Sequence, residues 1–229
     1  MTVDNGKLLI AVASLAQISV YGAGTAPAVE DGNEDKSKKE EIARKVESYL
    51  RGLRFMRAKF EQITGDGGEL YQGKFWLSKL KTTKIRVSYT SGLAQEILVI
   101  GDSVTVYESK TGKQYRYSLS SVPVYSVIVG KIDLCKEKFS ILEDSKELLR
   151  IRLERSSIFN NIAITLVFSK YEKSGNIEYL RAWIIDDEKT ETLFSLDPET
   201  LSINDARKAP ESVFEIPASL TNPPKNLKK

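Results

Sequence analysis

Asp186, Asp187 and Glu188 run together in "IIDDEKT", and three adjacent carboxylates invite a search for acid–base catalysis. Adjacent residues of a strand point to opposite faces, so Asp186 and Asp187 do not form a catalytic pair. With apolar segments on either side, "DDEK" reads as a hydrated hairpin turn. The 229 residues contain no histidine, which removes Ser-His-Asp and Cys-His nucleophilic machinery, imidazole metal sites and a histidine pH switch together. Cys135 is the single cysteine, so neither an intramolecular disulfide nor a cysteine metal cage can form. In "IDLCKEKF" it reads as a small packed hydrophobe. Without a positioned nucleophile and base the sequence reads as a non-enzyme, with no cofactor and no metal expected.

Basic and aromatic residues interleave in "YRY" at 115–117, and Lys79, Lys81, Lys84 and Arg86 lie close together in sequence. Such interleaving can stack bases, yet an amphipathic strand gives the same pattern. The net charge of +3 is too small to point to nucleic acid. No nucleic-acid partner is expected, and the chain is expected to be a monomer.

The elements that must position these residues are mostly strands. In "KIRVSYT", Ile85, Val87 and Tyr89 alternate with Lys84, Arg86, Ser88 and Thr90. Strand patterns also occur in "FMRAKFEQIT" and "ELYQGKFWLS" around the turn "GDGG", then in "QEILVI", "SVTVYES" and "QYRYSLS". Tyr115, Tyr117 and Leu119 share one face of the last of these. Later strands are "KFSILED", "ELLRIRLER", "NIAITLVFS", "NIEYLRAWIID", "TETLFSLD" and "SVFEIP". Ile42, Val46, Tyr49, Leu50 and Leu53 recur at helical spacing, which predicts an amphipathic helix over about 38–53. Between the two runs of strands, Pro123 and Gly130 bracket a short helix in "SVPVYSVIVG". A long antiparallel meander of this kind indicates a curved sheet or an incomplete barrel. Its apolar face is covered by the two helices. Either they fill it as a core, or they close it over an apolar guest; periodicity alone does not separate the two.

At the N-terminus Lys7 precedes an apolar run from Leu8 to Val20, and Ala26-Pro27-Ala28 follows. That order is the layout of a secretory signal over residues 1–28, although Asp4 opposes Lys7. A flexible linker is expected over 29–37, a single domain over 38–217 and a polar tail over 218–229. No cysteine stands near Ala28 to carry a lipid anchor, so the expected location is the periplasm.

Several segments carry, in order, a likeness to a known family. They are "FMRAKFEQ", "GKFWLSK", "ILVIGDSVTVYE", "KQYRYSLSSVPVYSVIVGKIDL", "AWIIDDEKTETLFSL" and "VFEIP". Over most of residues 38–217 the chain resembles the outer-membrane lipoprotein carrier family, LolA. The resemblance implies an unclosed antiparallel barrel, mainly β with α, closed by an N-terminal helix and a short helical lid. It implies a periplasmic carrier that shelters the acyl chains of lipoproteins, taking them from an inner-membrane transporter and passing them to an outer-membrane acceptor. Glycolipid carriers and envelope-stress sensors of the same fold are the alternative. The lipid-lining residues it implies are Phe60, Phe75, Leu77, Val87, Tyr89, Ile97 and Val99 on strands and Val124, Tyr125 and Ile128 on the lid. Where the family carries an arginine that latches the lid, this sequence has Lys79 followed by Leu80, which leaves a weaker latch at Lys79, a replacement by Arg86, or no latch.

Overall fold

A computed structural model describes residues 34–65, 68–93, 95–155, 161–205 and 210–215. The expected signal segment therefore lies outside the described residues. The chain opens with helix α1 (Glu34–Gly52), which begins inside the stretch expected to be linker. "EDKSKKEE" contains no glycine or proline. Further along, Glu40–Arg44, Glu41–Lys45 and Glu47–Arg51 form ion pairs four residues apart, acid first, which suits the helix dipole. Ile42, Ala43, Val46 and Leu50 form its buried stripe, and Leu53 is buried just beyond its end.

Among the described residues twelve strands follow in one antiparallel sheet made of two meanders joined where β1 pairs with β11; the first holds β1 (Phe55–Thr64), β2 (Glu69–Ser78), β3 (Lys84–Ser91), β4 (Gln95–Ile100), β5 (Ser103–Glu108) and β6 (Lys113–Ser118). After a helical interlude come β7 (Phe139–Asp144), β8 (Leu148–Leu153), β9 (Ala163–Lys170), β10 (Ile177–Asp186), β11 (Glu191–Leu196) and the two-residue β12 (Ser202–Ile203). The order across the sheet is β6-β5-β4-β3-β2-β1-β11-β10-β9-β8-β7, with β12 also on β1. β6 and β7 are thus the two ends, and the ladder does not close between them. The interlude joining them holds a 3-10 turn (Leu119–Ser121) and helix α2 (Pro123–Ile128). The molecule is an unclosed half-barrel with two helical covers.

Alternation sorts the residues between the two faces of the sheet. Along β1, Met56, Ala58, Phe60, Gln62 and Thr64 are buried, while Arg57, Lys59 and Glu61 are exposed. The inner faces of the strands, the stripe of α1 and the interlude merge into one hydrophobic cluster. Four aromatic rings tile the inner face. Phe60 stacks on Phe194 at 4.1 Å, Phe194 on Trp183 at 4.2 Å, and Phe75 meets Trp183 edge-on at 5.6 Å. α1 lies over the β8–β10 half: Tyr49 meets Phe168 edge-on at 5.7 Å, and its hydroxyl accepts from the Leu180 amide at 2.9 Å.

Two expectations are corrected here. The final "VFEIP" is not a strand over its described part: Glu211–Phe214 is a 3-10 turn on the outer face. Phe214 is buried with Leu98 and Tyr107, and Arg86 Nη1 donates to the Val213 carbonyl at 2.7 Å, so that carbonyl has a guanidinium partner instead of a neighbouring strand. Cys135 is exposed, and its neighbour Leu134 takes the buried place expected for it.

Candidate functional site

The site is the hollow between the sheet's inner face and the interlude between β6 and β7. Pro123 starts α2, where its missing N–H costs nothing. The helix ends in a Schellman turn: Lys131 N donates to Ser126 O at 3.0 Å and Gly130 N to Val127 O at 2.8 Å. Gly130 supplies the left-handed residue this turn requires, at φ +74°. Pro123, Val124, Tyr125, Val127 and Ile128 are all buried, so α2 is anchored inward by nearly every side chain it has.

Lys79 ties this cover to α1. From the residue after β2 its ammonium donates to the Leu50 carbonyl at 2.5 Å and to the Val129 carbonyl at 3.0 Å. Both carbonyls lie at helix C-termini, where backbone acceptors are in surplus and the dipole favours a cation. Burial pulls the Lys79 amine down to about 8 from its ordinary 10.5. A second fastener lies in the turn between β4 and β5. The Asp102 carbonyl accepts from the Leu119 amide at 2.8 Å, on the entry side of α2. Its carboxylate pairs with Lys131, on the exit side. Of the two sequence candidates for a latch, only Lys79 reaches α2. Arg86 follows the alternation of β3 to the outer face, where its Nε donates to Glu96 at 2.8 Å and its guanidinium lies over Trp76 at 5.8 Å.

The sequence-derived lining residues come together inside. Phe60, Phe75, Leu77, Val87, Ile97, Val99, Val124, Tyr125 and Ile128 are buried in one cluster, and the partly buried Tyr89 packs against it. In this form the hollow is filled by the protein's own side chains. Clefts of about 600 and 500 Å³ open elsewhere, one against Lys59, Lys74 and Pro198 and one between α1 and β10; neither is lined by α2.

One end of the hollow is polar, which the sequence reading missed. The Tyr89 hydroxyl donates to Gln62 Oε1 at 2.5 Å, and Tyr71 donates to Glu69. Burial first, then the neighbouring Tyr125 and Tyr71, hold the Tyr89 phenol well above its ordinary range. Gln62 Nε2, Thr64 Oγ1 and Thr192 Oγ1 are buried with no hydrogen-bond partner among the described residues. The signal was present in "KFEQIT", where Gln62 and Thr64 share the parity of Phe60.

The residues that suggested other chemistry have structural partners. Asp186 receives Arg152 at 2.5 Å and also pairs with Arg155, while Asp187 accepts from the Thr190 amide at 2.8 Å and closes the hairpin. Tyr115 and Tyr117 pack against the inner cluster, which explains the interleaving in "YRY". Glu47, Asp133 and Cys135 bring ligand atoms within 4.8 Å of one another. Glu47 is committed to Arg51 at 2.9 Å and Asp133 to Lys136 at 2.9 Å, and desolvation, then Glu47 and Asp133, push the Cys135 thiol up, away from a thiolate.

No family model matches the sequence, and no curated protein matches it. Among solved structures, the chain is similar to a putative outer-membrane lipoprotein-sorting protein domain from Vibrio parahaemolyticus, at 12% identity and TM-score 0.48, over 79% of this chain and 97% of that one. It is similar to a LolA superfamily protein from Nitrosomonas europaea, at 13% identity and TM-score 0.40, over 78% of this chain and 97% of that one. It is also similar to the MucA/MucB complex of Pseudomonas aeruginosa, at 9% identity and TM-score 0.46, over 80% of this chain and 61% of that one. By its own geometry the chain is an unclosed half-barrel whose inner face is covered by a fastened helical segment.

Proposed function

We propose that this protein binds the acyl chains of lipoproteins in its hollow, with α2 as a lid, and carries them through the periplasm from an inner-membrane transporter to an outer-membrane acceptor. The observation that carries the reading is the Lys79 tie. A lid rich in apolar side chains is held at its exit by polar ties, the partly desolvated Lys79 ammonium on two backbone carbonyls and the exposed Lys131–Asp102 pair. Such polar ties are readily exchanged, and the apolar contacts that lifting α2 gives up are of the kind an acyl chain replaces.

The physical demand fits the shape. Exposing one long acyl chain to water costs about 10 kcal/mol, at ~0.8 kcal/mol per CH₂. A carrier must cover that area and still release it, so a cover that lifts is better suited than rigid complementarity. Lifting α2 uncovers the inner faces of the strands, and acyl chains take the places of Val124, Tyr125, Val127 and Ile128. No helix among the described residues is long and apolar enough to cross a membrane.

The test is a titration with a synthetic triacylated lipopeptide. A thiol placed on the lid by Val124→Cys, with Cys135→Ser to remove the native thiol, is expected to become reactive as the ligand saturates. A ligand that binds without changing that reactivity, or no binding at micromolar protein, refutes the reading.

A further inference from the structure

We infer that the end of the hollow away from the Lys79 tie is a subsite for the uncharged carbonyl oxygens of an acyl ester. This rests on the acyl-binding reading above and adds an orientation to it. The strand register sets the two ends apart. Phe55 pairs with Ser78 and Ser78 with Lys84 at the end where Lys79 emerges, and Thr64 pairs with Glu69 and Thr192 at the other.

At that far end three donors face inward without a partner among the described residues: Gln62 Nε2, Thr64 Oγ1 and Thr192 Oγ1. Gln62 and Thr192 are each 1% exposed and Thr64 is 6% exposed. A buried donor left unpaired is costly, so a place holding three of them is suited to an incoming acceptor. The groups are positioned. Gln62 is oriented because its own oxygen is taken by Tyr89, which leaves the amide N–H free to donate. Thr64 and Thr192 sit directly opposite one another on β1 and β11. Phe60, Phe194 and Trp183 begin the apolar floor next to them.

The charge nearby selects among acceptors. Among the described residues, the ionisable groups facing the hollow at this end are the Glu69 carboxylate, hydrogen-bonded by Tyr71, and the phenols of Tyr71, Tyr89 and Tyr125. The guanidiniums at this end, Arg152 and Arg155, are both committed to Asp186, one register step beyond the Ile185–Thr192 pair. A phosphate would meet an acid in the hollow and find those cations already paired. A neutral ester or amide carbonyl needs only donors. An acyl ligand therefore lies with its linkage at the Thr64–Thr192 end and its tails running toward α2.

The experiment uses the full chain and two probes of equal carbon number, methyl octanoate and n-nonane, each competing against 1-N-phenylnaphthylamine. The double variant Thr64→Val, Thr192→Val removes two hydroxyls that have no protein partner, so its thermal midpoint is expected not to fall. It is expected to weaken methyl octanoate by about tenfold and to leave nonane within about twofold. A second variant, Gln62→Leu with Tyr89→Phe, removes the third donor together with its orienting partner and is expected to act the same way. An unchanged ester affinity in both variants, with the hydroxyls meeting only water, overturns the subsite while acyl binding stands. So does an equal loss for both probes. Failure of the unaltered chain to bind either probe or the lipopeptide overturns the acyl-binding reading and the subsite with it.

Discussion

Lys79 is the side chain that ties α2 to α1. Its ammonium serves two helix ends at once, so removing it orphans both the Leu50 and Val129 carbonyls. Hydrogen bonds to a charged group contribute about 1.5–3 kcal/mol, so Lys79→Met is expected to raise the rate of thiol labelling at Val124→Cys by about tenfold or more. Lys79→Arg, whose fork reaches two carbonyls, is expected to keep the slow rate. The pH dependence has a definite sign. Burial lowers the Lys79 amine to about 8 in the folded chain, against its ordinary 10.5. From about pH 8 upward the unfolded chain holds a proton that the folded chain has released, so stability rises with pH. Urea denaturation of the Cys135→Ser chain at pH 7.5 and 8.8, where tyrosines of ordinary pKa are still almost all protonated, is expected to show that rise, and Lys79→Met to flatten it. The sequence narrowed the latch to Lys79 or Arg86; the strand alternation that decides between them was legible in "KIRVSYT", but the place where α2 docks was not. Gln62, Thr64 and Thr192 escaped notice for a different reason: polar types at buried parity are ordinarily read as the wet side of a strand.

The strands of this chain were legible because one face is wet and the other dry, and the period of two persists through β1, β2, β3 and β8. The short α2 was legible from Pro123 and Gly130, which act through backbone geometry alone. What was not legible came from packing at a distance. "SVFEIP" has the composition of a strand, yet Phe214 turns into a slot between Leu98 and Tyr107 that belongs to β4 and β5. The start of α1 was hidden by its charge, since a polar run reads as linker until its ion pairs are known. Two predictions belong to these elements. In β2, an added Cβ at Gly73 would run into the Ser88 carbonyl oxygen of β3 first and would lie 2.5–2.6 Å from atoms of the Phe60 ring. Gly73→Ala is therefore expected to cost about 3 kcal/mol, measured by chemical denaturation, through displacement of both the β3 backbone and Phe60. Phe214→Ala empties the outer-face slot and is expected to cost about 2 kcal/mol, while leaving lipopeptide affinity within about twofold, because that slot lies on the other side of the sheet.

Across the whole molecule, the inner cluster is the hydrophobic core, and on the acyl-binding proposal the same side chains would line the bound chains. Saturating lipopeptide is expected to raise the thermal midpoint and at the same time speed hydrogen exchange at the α2 amides of Tyr125 to Ile128, a combination that tightening of the whole fold would not produce. Among the described residues, β6 and β7 are the two margins of the sheet, and the lid segment joins them. Basic side chains such as Lys113 and Arg116 on one margin, and Glu143 and Asp144 on the other, deter either from recruiting a foreign strand. Because no ladder of the described strands spans that gap, parting the two margins would break no interstrand bond there. On the acyl-binding proposal such a wall would be expected to spread like a cuff for a bulkier ligand, where a sealed cylinder of the same strands would fit only one girth.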